Sequence, residues 1–471
     1  MSAATASPVE PTTVSRRHPR KRRTAELVLL VFSYLVSLAA FAQVDLVMLD
    51  GLSTSFTSFA LILGASLIGG HVALRFLAPY ADPVILPVVG LLNGLGLAMI
   101  HRLELADANP VAISEPDFVA QLRWLVLAVI VFTIVLLIIR DHRALQRYTY
   151  TAMLVGLVLL VLPLLPLIGT EINGARIWVQ LPVPRGSLSF QPAEVAKIVL
   201  IVFFAGYLVM KRDVLALARS RVLGVDLPRG RDLGPIVVAW AVSLAVLVFE
   251  RDLGTSLLFF GLFVAMLYIA TERRSWLIIG AVLFSAGAFV AYHLFAHVRL
   301  RVSIWIDPFV NEATDGYQIA QSLYGFATGG ILGVGLGNGH PDFVPFAKTD
   351  FIMSAFGEEL GLTGVMALLV LYAIVIERGM RTAIAVRDPF GKLLAAGLSI
   401  AIGIQVFVVV GGVMKLIPLT GLTTPFLSYG GSSLVANWAL VALLLRVSDA
   451  ARRPPGTDGR RTERKQKRAS T

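Results

Sequence analysis

This sequence predicts an all-α polytopic membrane fold of about twelve spans, on three observations. Hydrophobic residues fill 56% of its 471 positions, above the roughly 45–50% of soluble domains. They gather into runs of about 20, the length a helix needs to cross a hydrocarbon core of about 30 Å at a rise of about 1.5 Å per residue. Lysine and arginine crowd the two ends of the chain and alternate connecting segments, the pattern of a positive-inside topology. Because these basic residues flank apolar spans, the net charge of +11 reports topology and anionic-lipid contact rather than nucleic-acid binding. Cysteine is absent, which excludes disulfides, thiolate nucleophiles and cysteine-held metals.

Residues 1–24 are rich in Ser, Thr, Pro and Arg, cannot bury a core, and read as a disordered basic cytoplasmic tail. Spans follow near 26–44 and 56–78, a pair ahead of a membrane core at 83–449. The first lacks a small-residue cleavage site and reads as an uncleaved anchor. The core holds spans near 83–101, 119–139, 149–169, 192–210, 233–249, 253–271, 276–298, 351–376, 393–414 and 427–446. The seventh and eighth spans overall are the weakest pair, since Glu250, Arg251 and Asp252 divide one long apolar run; a merged or re-entrant arrangement would change the count. Residues 450–471 form a second disordered basic tail. With both tails inside, the segments bearing Arg140 and Arg143, Lys211 to Arg231, Arg273 and Arg274, and Arg378 to Lys392 are all cytoplasmic. The segments 45–55, 102–118, 170–191, 299–350 and 415–426 then lie outside, the fourth as a large extracytoplasmic loop.

Four outward-facing constellations collect the unusual residues. In the first, Asn173, Arg176 and Trp178 lead into a helix opened by Pro192, where Glu194 and Lys197 stand one turn apart. They form either a structural ion pair or an anion or sugar contact lining a cavity. The second is Glu250, Arg251 and Asp252, either interfacial loop charges or, through Arg251, a bidentate phosphate contact. The third is 301–360, dense in aromatics, glycines and carboxylates. Its glycines between Gly329 and Gly339 either let the chain approach another backbone or ligand, or pack helices. Its Glu358 and Glu359 lie within a span, where carboxylates are costly unless they face a polar interior, so at least one is expected to point to the cavity. The fourth, KLIPLTGLTTPFLSYGGSS, is too rich in Pro and Gly for a regular helix and is tolerable at membrane depth only inside protein or along a wet cavity.

The runs QPAEVAK, ERDLGTSL, DGYQIAQSL followed by GLGNG, TDFIMSAFGEELGLTG and IPLTGLTTPFLSYGGSS resemble, in that order, the signature segments of the SEDS proteins, the RodA and FtsW peptidoglycan polymerases. The likeness extends over about residues 83–447 and is closer to actinobacterial RodA, which similarly has two extra amino-terminal spans and basic tails. It implies a peptidoglycan glycosyltransferase that polymerises lipid II, a disaccharide peptide on undecaprenyl pyrophosphate, at the outer face of the cytoplasmic membrane. The implied role is cell-wall elongation and shape control, and the implied partner is a class B penicillin-binding protein. Under this resemblance Arg176, Lys197, Arg251 and Lys348 are candidate cations for the donor pyrophosphate. Tyr317 and Gln318, with Trp305 and Phe309, can stack on or hydrogen-bond sugar rings. Glu194, Asp252, Asp350, Glu358, Ser428 and Tyr429 complete the expected substrate wall. A divalent cation, Mg or Mn, is an optional aid to the pyrophosphate, although no ligand cluster in the sequence identifies one.

The chain departs from the family pattern at the expected base. Members read D-P-x-x-x-G-Y-Q, and counting back from Gly316, Tyr317 and Gln318 places that first Asp at Asn311. A carboxamide has no usable basicity near neutral pH. Three readings stay open: Glu312 or Asp315 fills the role after a local shift, Asp307 or Asp350 supplies the charge, or the chain is a degenerate paralogue that acts as a scaffold for a penicillin-binding protein. A lipid II flippase is a further alternative, since broken helices and interior charges also describe transporters.

Overall fold

The computed structural model describes residues 21–106, 116–166, 168–172, 175–183, 186–216, 220–222, 225–227 and 252–454. Among them, eleven helical segments are long and apolar enough to cross a membrane. They are built on α1 (Arg23–Leu49), α2 (Thr54–Leu77), α3 (Ile85–Leu105), α4 (Asp117–Ile138), α5 (Thr149–Val161, extended at both ends by 3-10 turns), α6 (Pro192–Ala216), α7 (Leu253–Thr271), α8 (Ser275–Leu294), α11 (Ile352–Ala385), α12 (Pro389–Val413) and α13 (Gly431–Arg452). Two shorter helices, α9 (Ala296–Ile306) and α10 (Tyr317–Gly329), lie in the predicted outer loop. The predicted span at 233–249, with Glu250 and Arg251, lies outside the described residues, as do the chain ends before 21 and after 454.

The all-helical expectation needs one addition. The segment predicted as a plain outer loop at 170–191 carries a three-stranded antiparallel sheet: β1 (Gly169–Ile172), β2 (Ala175–Val183) and β3 (Gly186–Phe190). Val179 pairs with Phe190, and Val183 with Gly186. The run RIWV is rich in β-branched and aromatic residues, and Val179 is buried while its neighbours Trp178 and Gln180 are half-buried, the alternation of a strand. A second hairpin, β4 (Ser220–Val222) with β5 (Val225–Leu227), follows α6. The tail boundaries also shift, because α1 starts at Arg23 and α13 runs to Arg452.

Buried charges lock the two additional amino-terminal helices onto the core. Arg23 donates to the carbonyls of Ala78, Pro79 and Ala81, in the turn that follows α2. Glu26 meets both Arg23 and His71, the latter at 2.9 Å. At the other end of α1, Asp45 accepts from Ser53 N–H at 2.9 Å and lies 2.9 Å from His101 of α3. Each ionisable group here has a partner, the condition under which charge is tolerated inside a bundle.

Two irregular segments complete the architecture. In α11 the helix breaks at Gly361, whose φ of 65° is left-handed. The carbonyls of Glu358 and Glu359 are taken by the N–H groups of Val334 and Gly335, and a Cβ on Gly361 would stand 2.3 Å from Gly333 N. The glycine run therefore serves backbone-to-backbone packing against a broken helix. The second segment, 414–430, is held by side chains from distant helices. Asn93 donates to Phe426 O at 2.8 Å, Gln121 donates to Ser428 O at 3.2 Å and accepts from Gly430 N–H at 3.2 Å, and Tyr372 donates to Pro425 O. Non-helical backbone persists at this depth because its polar groups are paired within the protein.

Candidate functional site

A cavity of about 900 Å³ opens where seven parts of the chain meet at the end of the bundle that the charge pattern assigns to the outside. The first turns of α4 contribute Arg123 and Trp124, the sheet contributes Trp178, and the start of α6 contributes Glu194. Arg301 of α9, Gln318 of α10, Asp350 just ahead of α11, and the segment 419–433, including Tyr429 and its hydroxyl residues, close it. Every wall element comes from a predicted outer segment or the adjoining turn of a span. A second cavity of about 350 Å³ lies alongside and shares Arg301, Gln318 and Leu419 with the first.

The positions of these side chains follow from local chemistry. Pro192 at the first turn pre-sets α6 so that Glu194 reaches the cavity while Lys197, one turn on, points inward. Lys197 Nζ donates to Glu194 and Gln405, each at 2.8 Å, and to Asn437 at 3.4 Å. Gln405 in turn donates to Thr423 O at 3.0 Å, joining this ion pair to the irregular segment. Arg301 is placed by a 2.9 Å bond to Leu419 O, and Trp305 of the same helix donates to Lys415 O at 3.1 Å. Asp252 caps α7, accepting from Thr255 N–H at 2.9 Å and from its hydroxyl at 2.6 Å.

The electrostatics centre on Arg301, which feels both Asp252 and Asp350. Burial pushes the Asp350 carboxyl up to about 7; the Arg301 guanidinium pulls it down and the Asp252 charge adds to the rise. Burial likewise raises the Asp252 carboxyl, against its bonds to Thr255. The site thus joins two arginines, a carboxylate that titrates near neutrality, hydroxyls and four aromatic side chains. That mixture suits an amphiphile carrying phosphate and sugar.

The structure brings together some of the residues expected from sequence and leaves others apart. Glu194, Gln318, Asp350 and Tyr429 line the main cavity. Asp315 lines only the smaller one. Asn311 is exposed on a turn where its carbonyl accepts from Thr314 and Gly316 N–H. Asp307 is exposed and caps Phe309 N–H at 3.0 Å, while Glu312 lies beside Tyr324 and raises that phenol's pKa. None of these three reaches either cavity.

Of the expected cations, Arg176 lies on the sheet and donates to Gly169 O at 3.4 Å, and Lys348 pairs with Asp117 at 3.0 Å. Lys197 is buried behind Glu194, and Arg251 lies outside the described residues. Arg123 and Arg301 face the cavity instead. Arg123 has a signal in the sequence, an arginine within an apolar helix, whereas Arg301 is one of two arginines beside a loop and has none. Tyr317, more than a third exposed, lies at the start of α10 outside both cavities. Glu358 accepts His340 N–H at 2.7 Å under the glycine run, and Glu359 pairs with Arg102 of α3, so their polar surroundings are backbone and an arginine rather than the cavity. Ser428 is buried and structural, donating to Thr349 O and accepting from Thr424 N–H.

The donor set does not fit a protein-held divalent cation. Among the described residues no three His, Asp or Glu side chains gather around a common point, and each cavity carboxylate already faces a cation.

The sequence model of a family of cell cycle proteins comprising FtsW, RodA and SpoVE matches residues 83–453. The chain belongs to this family. The peptidoglycan glycosyltransferase RodA of Mycobacterium tuberculosis is 54% identical over 434 residues, covering 92% of each chain. The protein of the same name in Mycobacterium leprae is 52% identical over 433 residues, again 92% of each. A chain from the structure described as structural coordination of polymerization and crosslinking by a peptidoglycan synthase complex superposes with a TM-score of 0.53 at 27% identity, covering 84% of this chain and 98% of that one. The family match begins at residue 83, so α1 and α2 both stand ahead of the shared core.

Proposed function

We infer that this protein is a multi-pass membrane peptidoglycan glycosyltransferase that polymerises lipid II in cell-wall synthesis. One observation carries the reading: a 900 Å³ cavity with two arginines, an unspent carboxylate and an amphiphilic wall sits in a chain 54% identical over 92% of its length to a mycobacterial peptidoglycan glycosyltransferase. Glycan extension joins an acceptor sugar hydroxyl to the anomeric carbon of a pyrophosphate-linked donor. The new C–O bond forms as the bond to pyrophosphate breaks, and the electron pair leaves on a phosphate oxygen. Arg301 and Arg123 supply positive charge where that anion develops. Trp124, Trp178 and Tyr429 offer faces for sugar rings or the first prenyl units.

The cavity opens on the side that the basic tails and loops place outside the cytoplasm, which supports cytoplasmic termini and use of externally displayed substrate. A class B penicillin-binding protein is the proposed partner. Its support is the similar chain found in a synthase complex that couples polymerisation to crosslinking. Incubating the purified chain with fluorescent lipid II is the direct test, and glycan ladders on a gel are expected. Translocation of lipid II across vesicles without ladders would instead mark a flippase, and neither outcome a scaffold.

A further inference from the structure

The glycosyl transfer inferred above needs a group to accept the acceptor's proton, and the residue aligned with the family's base is the amide Asn311, exposed on a turn away from both cavities. Of the residues that the sequence offered for this role, only Asp350 lines the main cavity. The other carboxylate in that wall, Glu194, is held through one oxygen by the Lys197 ammonium at 2.8 Å, with both side chains under 10% exposed, so its charge is already balanced. Asp252 is committed to Thr255, and Glu358 to His340 N–H.

Asp350 differs from all of these. Among the described residues no hydrogen-bond donor reaches its carboxylate; its charged neighbours are Arg301 from α9 and Asp252 at the head of α7. It borders Gly421, where a side chain would begin 3.6 Å from its Oδ2. Gly421 has a φ of +77°, a conformation that favours glycine, so the wall beside the carboxylate is bare backbone. The result is an acid with open lone pairs, facing the substrate space beside the guanidinium that would bind the leaving group.

We propose that Asp350 is the general base of this chain. It takes the proton from the acceptor sugar hydroxyl as that oxygen bonds to the anomeric carbon, and returns it to solvent after the pyrophosphate has left. Arg301 acts as a positioning residue that keeps Asp350 ionised and directs the leaving anion to the same corner. This assignment rests on the glycosyltransferase reading. It removes the need for a carboxylate at position 311.

The test uses the full-length chain in lipid nanodiscs with fluorescent lipid II. Asp350→Asn keeps the shape of the side chain and removes its basicity, so kcat should fall by roughly 10²–10⁴-fold while lipid II binding stays within about threefold. Asn311→Asp and Glu312→Ala, which alter groups outside the cavity, should leave the rate within about threefold. The wild-type rate should fall tenfold per pH unit below the titration of Asp350 at about 7 and level off above it. Asp350→Glu should retain part of the rate with a displaced acid limb.

Native-rate ladders from Asp350→Asn overturn the proposal while leaving the enzyme reading intact. So does a pH profile that is the same in the wild type and in Asp350→Glu. A native chain that makes no polymer refutes the glycosyltransferase reading itself.

Discussion

Lys197 and Glu194 form an ion pair whose two side chains are 2% and 7% exposed, and removing one partner should cost far more than removing both. Lys197→Met leaves a carboxylate 2.8 Å from where its counter-ion stood, and leaves Gln405 and Asn437 without the ammonium they accept from. Breaking one side of a buried pair typically costs about 3–5 kcal/mol, because the remaining charge has lost its compensation. Glu194 borders the cavity and keeps some access to water, which argues for the low end, about 3 kcal/mol. Glu194→Gln should cost about as much, since Lys197 lies deeper. The double variant carries no buried charge and loses mainly the two amide contacts, at roughly 0.6 kcal/mol for each hydrogen bond in a membrane bundle, or about 1 kcal/mol in all. The coupling energy is then several kcal/mol, well beyond the roughly 0.5 kcal/mol within which independent sites add. SDS titration of the four proteins in dodecylmaltoside micelles measures it. A double variant whose cost equals the sum of the singles would refute the claim that the pair's stability lies in mutual compensation.

Three other outcomes follow from the geometry. Asp388 caps α12, and although burial opposes it, bonds from His142 at 2.9 Å and Gly391 N–H at 2.6 Å hold its carboxyl down to about 2. Because the folded-state value is the lower one, this stabilisation, about 2 kcal/mol, is present above the ordinary carboxylate range and fades as pH falls towards 2. Thermal unfolding of Asp388→Asn should therefore show a deficit at pH 7 that is about halved at pH 3 and largely closed only near pH 2. Gly361→Ala places a Cβ 2.3 Å from Gly333 N at a left-handed φ, so it should cost at least about 2 kcal/mol and lower the yield of monodisperse protein by size-exclusion chromatography. Gly431→Ala would put a Cβ 2.1 Å from the Trp124 ring, pushing the indole into the cavity. The expected result is a lipid II KM raised about tenfold, with a thermal midpoint close to wild type, since each 1.4 kcal/mol of lost binding is a factor of ten.

Among the described residues, span positions were legible in the sequence because they depend on local composition, namely runs of about 20 apolar residues. The same local logic identified the four polar constellations, and segments from three of them, 175–194, 301–350 and 419–433, line the main cavity. The sheet at 169–190 escaped because a short polar segment between spans carries no length constraint. The glycine run could be read as turning towards a ligand or as packing, and only the break in α11, where the carbonyls of Glu358 and Glu359 accept from Val334 and Gly335, shows that it packs.

Which charges face substrate space was decided by tertiary structure alone. Arg123, Glu194, Arg301 and Asp350 span more than 200 residues of chain and meet only because α4, α6, α9 and the segment before α11 converge at one end of the bundle. Spacing along a sequence carries no information about such convergence. For the same reason Lys348 and Asp350, two residues apart, take opposite roles: one is paired with Asp117 and the other opens onto the cavity. The sequence determined that position 311 carries an amide in place of a carboxylate; the fold determined that, among the described carboxylates, Asp350 has both the cavity and the free lone pairs.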